Sequence, residues 1–224
     1  MENPSTSTFD QYQYIGPDIT DFDTYQKLPA DLQSILSKKN GYLQYNSAFH
    51  LRGCCTEPAW HSLAHYWTGD LALFSLYPNI QPDDIPFAEN ILGDQIFLRE
   101  DVVWYLNGET GNIFCYNLDL QNFLQLINEN PTEHLNCTIL THYLQSNEQA
   151  KPGQLLHAYP PLITSQAKIS VTITAVDQES QLQSLSQLAA FFRKMDTKKS
   201  FSPIKKIKSL FSKSKQETHT GNRD

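Results

Sequence analysis

PFAENILGDQIFLREDVVWYLNGETGNIFCYNLDLQNFLQLI, residues 86–127, sets strand-like runs, a glycine-bearing turn and an amphipathic helix one after another. Residues 95–98 and 102–106 are rich in β-branched and aromatic side chains and predict two strands. Asn107, Gly108, Glu109, Thr110 and Gly111 then supply the positive-φ positions of a tight turn, after which Ile113, Phe114, Cys115 and Tyr116 resume the strand pattern. Asp119 is placed to cap a helix whose Leu120, Phe123, Leu124 and Ile127 recur at i, i+3, i+4 and i+7. A two- or three-stranded meander and a helix that bury one face each against the other follow from this order. Nothing in the stretch reads as catalytic.

Working outward, residues 28–39 predict a helix with Leu32, Ile35 and Leu36 on one side, ended by Asn40 and Gly41. Residues 42–51 alternate weakly as a strand, residues 60–67 predict a short helix, and residues 71–77 are an apolar run too short to assign by period. After the break at Pro131, residues 133–146 read as one helix with Leu135, Ile139 and Tyr143 inward. Ile169, Val171 and Ile173 alternate with polar residues as a half-buried strand. Asp177 can cap a final helix striped by Leu182, Leu185, Leu188, Ala189 and Phe192. The fold class expected is α+β: a mainly antiparallel sheet flanked by helices in a single domain. Its division is an N-terminal arm over residues 1–25, the domain over 26–197, and a basic, flexible tail over 198–224.

The central stretch also resembles the signature region of the SUKH superfamily, which includes yeast cell-wall-synthesis regulators and bacterial toxin-immunity proteins. The similar residues are Pro86, Phe87 and Ala88, the Gly93–Asp94 pair opening a strand, the strand pair around Val103, and the turn from Gly108 to Gly111. Upstream, Leu28, Pro29, Ala30, Asp31 and Leu32, with Gly41 and Tyr42, resemble the family's first helix and following turn. The resemblance spans roughly residues 25–130. It implies an α+β fold and a non-enzymatic protein-binding role. Residues 131–195 and the lysine-rich tail have no counterpart in it.

The chain of 224 residues can bury one sizeable core. It has no run of about 18 apolar residues, and its polar start lacks the layout of a signal peptide. Cys54, Cys55, Cys115 and Cys137 do not form a disulfide framework, so a reducing cytoplasm is the compartment expected. The net charge of −7 is unevenly spread: residues 1–197 carry 9 Lys/Arg against 22 Asp/Glu, and residues 198–224 carry 8 against 2. An acidic body disfavours nucleic acid and speeds encounter with a basic protein. Solubility is the plain alternative.

His61 and His65 are spaced i, i+4, which on a helix would put both imidazoles on one face, with Asp70, Cys54 and Cys55 close in sequence. The position after the first histidine is Ser62, where a zinc hydrolase would have glutamate, and packing histidines are the simpler reading. Cys54 with His61 is a conceivable nucleophile and base, yet no catalytic elbow accompanies it. There is no phosphate-cradling glycine loop. No metal, cofactor or catalytic residue is expected.

The binding surface expected from charge and family resemblance combines Glu57, Asp70, Asp83, Asp84, Glu89, Glu100, Asp101 and Glu109 with the aromatic anchors Trp60 and Trp67. Core packing is the competing reading for the tryptophans. Asp83, Asp84 and Glu89 are expected to include exposed members, because isolated buried carboxylates are costly. In the tail, Ile204, Lys205, Lys206, Ile207, Lys208 and Phe211 interleave apolar and basic residues, as a segment lying on an anionic membrane would. The function expected is that of a cytoplasmic immunity protein that neutralises a basic toxin domain by occluding its active surface. The alternative is a regulatory scaffold tethered to membrane by the basic tail.

Overall fold

The central meander runs further toward the N-terminus than periodicity predicts: seven strands hydrogen-bond in chain order, every neighbouring pair antiparallel. They are β1 (Tyr12–Ile15), β2 (Tyr42–Gln44), β3 (Phe49–Leu51), β4 (Ile85–Asn90), β5 (Gln95–Arg99), β6 (Val102–Leu106) and β7 (Ile113–Cys115). The computed structural model describes residues 10–200 apart from Asn136, with side chains described as far as Met195. The helices are α1 (Phe22–Tyr25), α2 (Ala30–Lys38), α3 (Leu63–Trp67), α4 (Leu73–Leu76), α5 (Leu120–Glu129), α6 (Pro131–His134), α7 (Cys137–Leu144) and α8 (Gln178–Ser200). A second sheet pairs β8 (Gln154–Tyr159) with β9 (Thr172–Asp177). The whole is a single-domain α+β fold.

Alternation along the registered strands divides the sheet into two faces. Ala88, Ile96 and Tyr105 lie opposite one another across β4, β5 and β6. Ala88 and Ile96 join Leu32 and Leu36 of α2 and Leu120 and Phe123 of α5 in the main core. Phe97 and Leu106 belong to the other face, where they pack with Leu73 of α4, Tyr77 and Ala189 of α8. Asp119 accepts from the Asn122 amide as the cap of α5, and Asp177 from the Ser180 amide at the start of α8. Both caps satisfy backbone donors that a helix start leaves open.

Three expectations change, and one falls outside the described residues. The N-terminal stretch contributes an edge strand, because Tyr12, Tyr14 and Ile15 pair with β2, and Asp21 caps α1. The helix expected over residues 133–146 is two helices, α6 and α7, and the inward residues of α7 are Cys137, Leu140 and Tyr143. The last strand begins at Thr172, so Ile169 stands 87% exposed: β8 ends at Tyr159, which pairs with Thr172 and leaves residues 169–171 without a partner. Residues 201–224 lie outside the described residues, among them Ile204, Lys205, Lys206, Ile207, Lys208 and Phe211.

The turn between β5 and β6 has an unusual composition. Arg99 pairs directly with Val102, so Glu100 and Asp101 form a two-residue loop, with φ of 51° and 62°. Such left-handed hairpin loops are normally Asn-Gly or Asp-Gly, since a Cβ is disfavoured there. Asp101→Gly is therefore expected to raise folding stability by about 1 kcal/mol. Urea denaturation measures this, and a loss of stability would mean that the Asp101 side chain makes a contact worth more than its backbone cost.

Candidate functional site

Strand register builds a polar row across the buried sheet. His50 of β3 is directly opposite Glu89 of β4, and Glu89 is opposite Gln95 of β5. Arg52, just after β3, reaches diagonally to the same place. All four side chains are buried, Arg52, Glu89 and Gln95 completely so. One Arg52 amino group donates to Glu89 Oε2 at 2.9 Å and to Gln95 Oε1 at 2.7 Å, and the other donates to the Pro86 carbonyl at 2.8 Å. The guanidinium lies 4.2 Å from the centre of the Tyr66 ring, whose hydroxyl accepts from Gln178 of α8. A buried charge is tolerable when paired and hydrogen-bonded, and this one is both.

The other Glu89 oxygen continues the row. Glu89 Oε1 is 2.8 Å from His50 Nδ1, His50 Nε2 is 2.9 Å from His61 Nδ1, and His61 Nε2 is 2.9 Å from the Asn40 carbonyl. Three contacts between two terminal acceptors call for three protons, and two neutral imidazoles supply two. Burial pushes His61 down to about 3 and lowers His50 as well; Glu89 opposes the shift at His50, and the Arg52 charge reinforces it. Burial by itself would raise Glu89, but Arg52 and the hydrogen bonds from His50 and Gln95 overcome it and hold the carboxyl below its ordinary value. Near neutrality the row is therefore an ionised Glu89–Arg52 pair with two neutral histidines.

The row is closed off by backbone and aromatic rings. A Cβ on Gly16 would fall 2.3 Å from His61 Nε2 and 2.0 Å from the Asn40 oxygen, and one on Gly53 would meet the same two atoms at 2.7 and 2.3 Å. Trp60 packs on both His50 and His61, and Tyr14 of β1 on both Trp60 and His61. The row thus ties β1, β3, β4 and β5 to the segment before α3. Its chemistry is that of a structural clamp.

These contacts revise the candidate residues. His61 lies in a 3₁₀ turn, Ala59–His61, and His65 in α3, so they do not share a helix face; His65 instead meets Glu179 of α8 at 3.1 Å. Burial, with Asp21 nearby, pushes the Cys54 thiol up to about 12 and the Cys55 thiol up to about 11, which keeps both protonated and unreactive near neutrality. No group of three or more His, Cys, Asp or Glu able to hold a metal occurs among the described residues. Glu89 is fully buried in the clamp and is not a surface acid, whereas Trp60 is half-buried, one part of its ring packed on His50, His61 and Tyr14. Asp84 is also buried, held by Arg99 at 2.7 and 2.6 Å and by the Gln81 amide. The half-buried Glu109 accepts from the Leu162 and Ile163 amides at 2.8 Å each, anchoring a loop.

The remaining acidic residues are exposed: Glu57, Asp70, Asp83, Glu100 and Asp101. The Arg99–Asp84 pair brings the loop bearing Asp83 against the turn bearing Glu100 and Asp101. Trp67, half-buried, donates its indole N–H to the Pro82 carbonyl at 3.1 Å and so borders the same loop. Asp70 follows three residues later, in the α3–α4 connection. Glu57 stands apart, beside the Thr20–Thr56 contact. One end of the sheet thus presents Asp83, Glu100 and Asp101 beside Trp67. Arg99 is the residue that sequence reading missed here. Its signal was a lone cation ending an apolar strand next to two acids.

A cavity of about 410 Å³ opens at the far side, walled by Leu92, Tyr105, Phe114, Leu156, Leu162 and Leu185. Its principal carboxylate, Asp94, already accepts from Asn90, the Gly108 amide and Tyr105. No protein-family model matches the chain, and no curated protein matches it. No helix among the described residues is long and apolar enough to cross a membrane.

Proposed function

We propose that this chain is a non-enzymatic, SUKH-like protein-binding domain, an immunity protein that neutralises a basic toxin domain by covering its active surface. The observation that carries the reading is the acidic turn at the sheet end. Glu100 and Asp101 occupy left-handed positions that Asn-Gly would fill at lower cost, and both are exposed beside Asp83. Backbone strain retained at an exposed position is a mark of selection for something other than stability. The clamp at the other end of β4 and β5 supports the same reading, since a rigid sheet presents a charged end without an ordering cost on binding. The partner would be met by charge steering and held by occlusion, without turnover.

The test is charge reversal at this end: Asp83→Lys, Glu100→Lys and Asp101→Lys together. Binding to the partner is expected to weaken by at least about a hundredfold, most of the change appearing at low salt. Unchanged affinity, measured by titration calorimetry on a variant with wild-type melting behaviour, would remove this surface from the account.

A further inference from the structure

The cavity of about 410 Å³ lies between the last strands of the seven-stranded sheet and the layer formed by β8 and α8. Tyr105 of β6 and Phe114 of β7 line it from the sheet; they are directly opposite in register, with ring centroids 6.3 Å apart. Leu156 of β8 and Leu185 of α8 line it from the second layer. Leu185 packs close against Gly93 and Gly108, where an added Cβ would fall 2.8 and 2.9 Å from its Cδ1, and so closes this end. Phe114 is 57% and Ile163 49% exposed, which places them at the mouth.

The charge of the lining is one-sided. It includes two carboxylates, Asp94 and Glu109, and no lysine, arginine or histidine. Asp94 is buried and set in place by the Gly108 amide at 2.8 Å and the Asn90 side-chain amide at 2.9 Å. Glu109 is half-buried, and each of its oxygens accepts one backbone N–H at 2.8 Å, from Leu162 and from Ile163. Those amides fix the carboxylate without bringing a charge, and each oxygen keeps a second lone pair. No ion pair of Glu109 occurs among the described residues. His157 lines an adjoining cavity of about 150 Å³, where its Nδ1 is 2.9 Å from Gln181 Oε1.

We propose that this cavity binds a small organic cation, a protonated amine carried on an apolar body, with the ammonium between Glu109 and the rings of Tyr105 and Phe114 and the body against Leu156 and Leu185. The volume falls in the range of small-molecule sites, about 300–1,000 Å³. An aromatic face attracts a cation, a carboxylate accepts a charge-assisted hydrogen bond from it, and apolar walls take the remainder. The same lining repels an anion. The site is at the end of β5 and β6 opposite the Glu100–Asp101 turn, so the inference does not rest on the proposed partner.

NMR chemical-shift titration of the full chain near neutral pH tests it, with three probes that differ only in head group: phenylpropylamine, phenylpropanol and phenylpropionate. The amine is expected to bind at least about tenfold more tightly than the alcohol, and the propionate more weakly than either. Glu109→Gln should weaken the amine by about tenfold and leave the alcohol unchanged. A loss common to both probes would trace to the loop that Glu109 holds and would overturn the role given to its charge. Phe114→Ala should weaken the amine by about fivefold, with unchanged thermal melting because the ring is exposed. Equal affinity for amine and alcohol, no binding, or wild-type amine affinity in either variant would each overturn the proposal.

Discussion

Replacing Glu89 by alanine is expected to remove about 3–5 kcal/mol of folding stability, a large share of what a domain of ordinary stability has. The cost comes from what is left behind. Arg52 is fully buried, and Glu89 is the anion that neutralises it. Without that anion the guanidinium keeps the Pro86 carbonyl, the Gln95 oxygen and the Tyr66 face, which solvate a charge without cancelling it. Its Nε has no hydrogen-bond partner even in the native protein. His50 loses the acceptor for its Nδ1 at the same time.

Removing both charges should cost less than removing one. The double substitution Arg52→Met with Glu89→Leu takes away cation and anion together, and such replacements are often close to neutral. Urea denaturation of the three proteins is the measurement. A single variant within about 1 kcal/mol of wild type would show that the Glu89–Arg52 pair is not what holds β3, β4 and β5 together.

The second large effect is acid sensitivity. His50 and His61 are both held below their ordinary value in the folded protein, so below pH 6.5 the unfolded chain takes up protons that the folded one refuses. Stability linked to them is complete above pH 6.5 and is lost as pH falls, at about 1.4 kcal/mol per pH unit for each histidine still neutral. His61, held at about 3, should by itself remove about 2–3 kcal/mol between pH 6.5 and 4.5. Glu89 adds to the loss at lower pH, because its carboxyl is also held below its ordinary value. Denaturation midpoints measured from pH 7.5 to 4.5 should fall steadily, and His61→Gln should flatten the slope. A midpoint constant down to pH 5 would mean that the row takes up its third proton readily and that His50 or His61 is cationic when folded.

Local signals in the sequence were sufficient where neighbours along the chain decide the structure. Asp119 and Asp177 cap the helices they precede, and the strands around Val103 pair through a two-residue turn. What was not legible depends on residues far apart. Tyr12 to Ile15 become a strand only because the edge of β2 is free to receive them. The helix expected over residues 60–67 is interrupted because His61 is drawn to His50 and to the Asn40 carbonyl. Glu89 read as a surface acid, and its true place follows from lying opposite His50 and within reach of Arg52. A carboxylate inside the otherwise buried run Ile85–Asn90 was the available clue, since such a strand has to provide it with a cation. The candidate surface was half legible: Asp83, Glu100 and Asp101 read as exposed acids, but that they share one end follows from the pairing of Ile85 with Leu98 and from the Arg99–Asp84 ion pair.

The most direct measurement is capture of binding partners by the tagged chain from its native lysate, run beside the Asp83→Lys, Glu100→Lys, Asp101→Lys variant, with the captured protein then purified and titrated against both. The account predicts one basic protein held stoichiometrically by the wild type, inhibited on binding, and released by the variant. Capture of the same proteins by both chains, or a bound protein whose activity is unaffected, would contradict it.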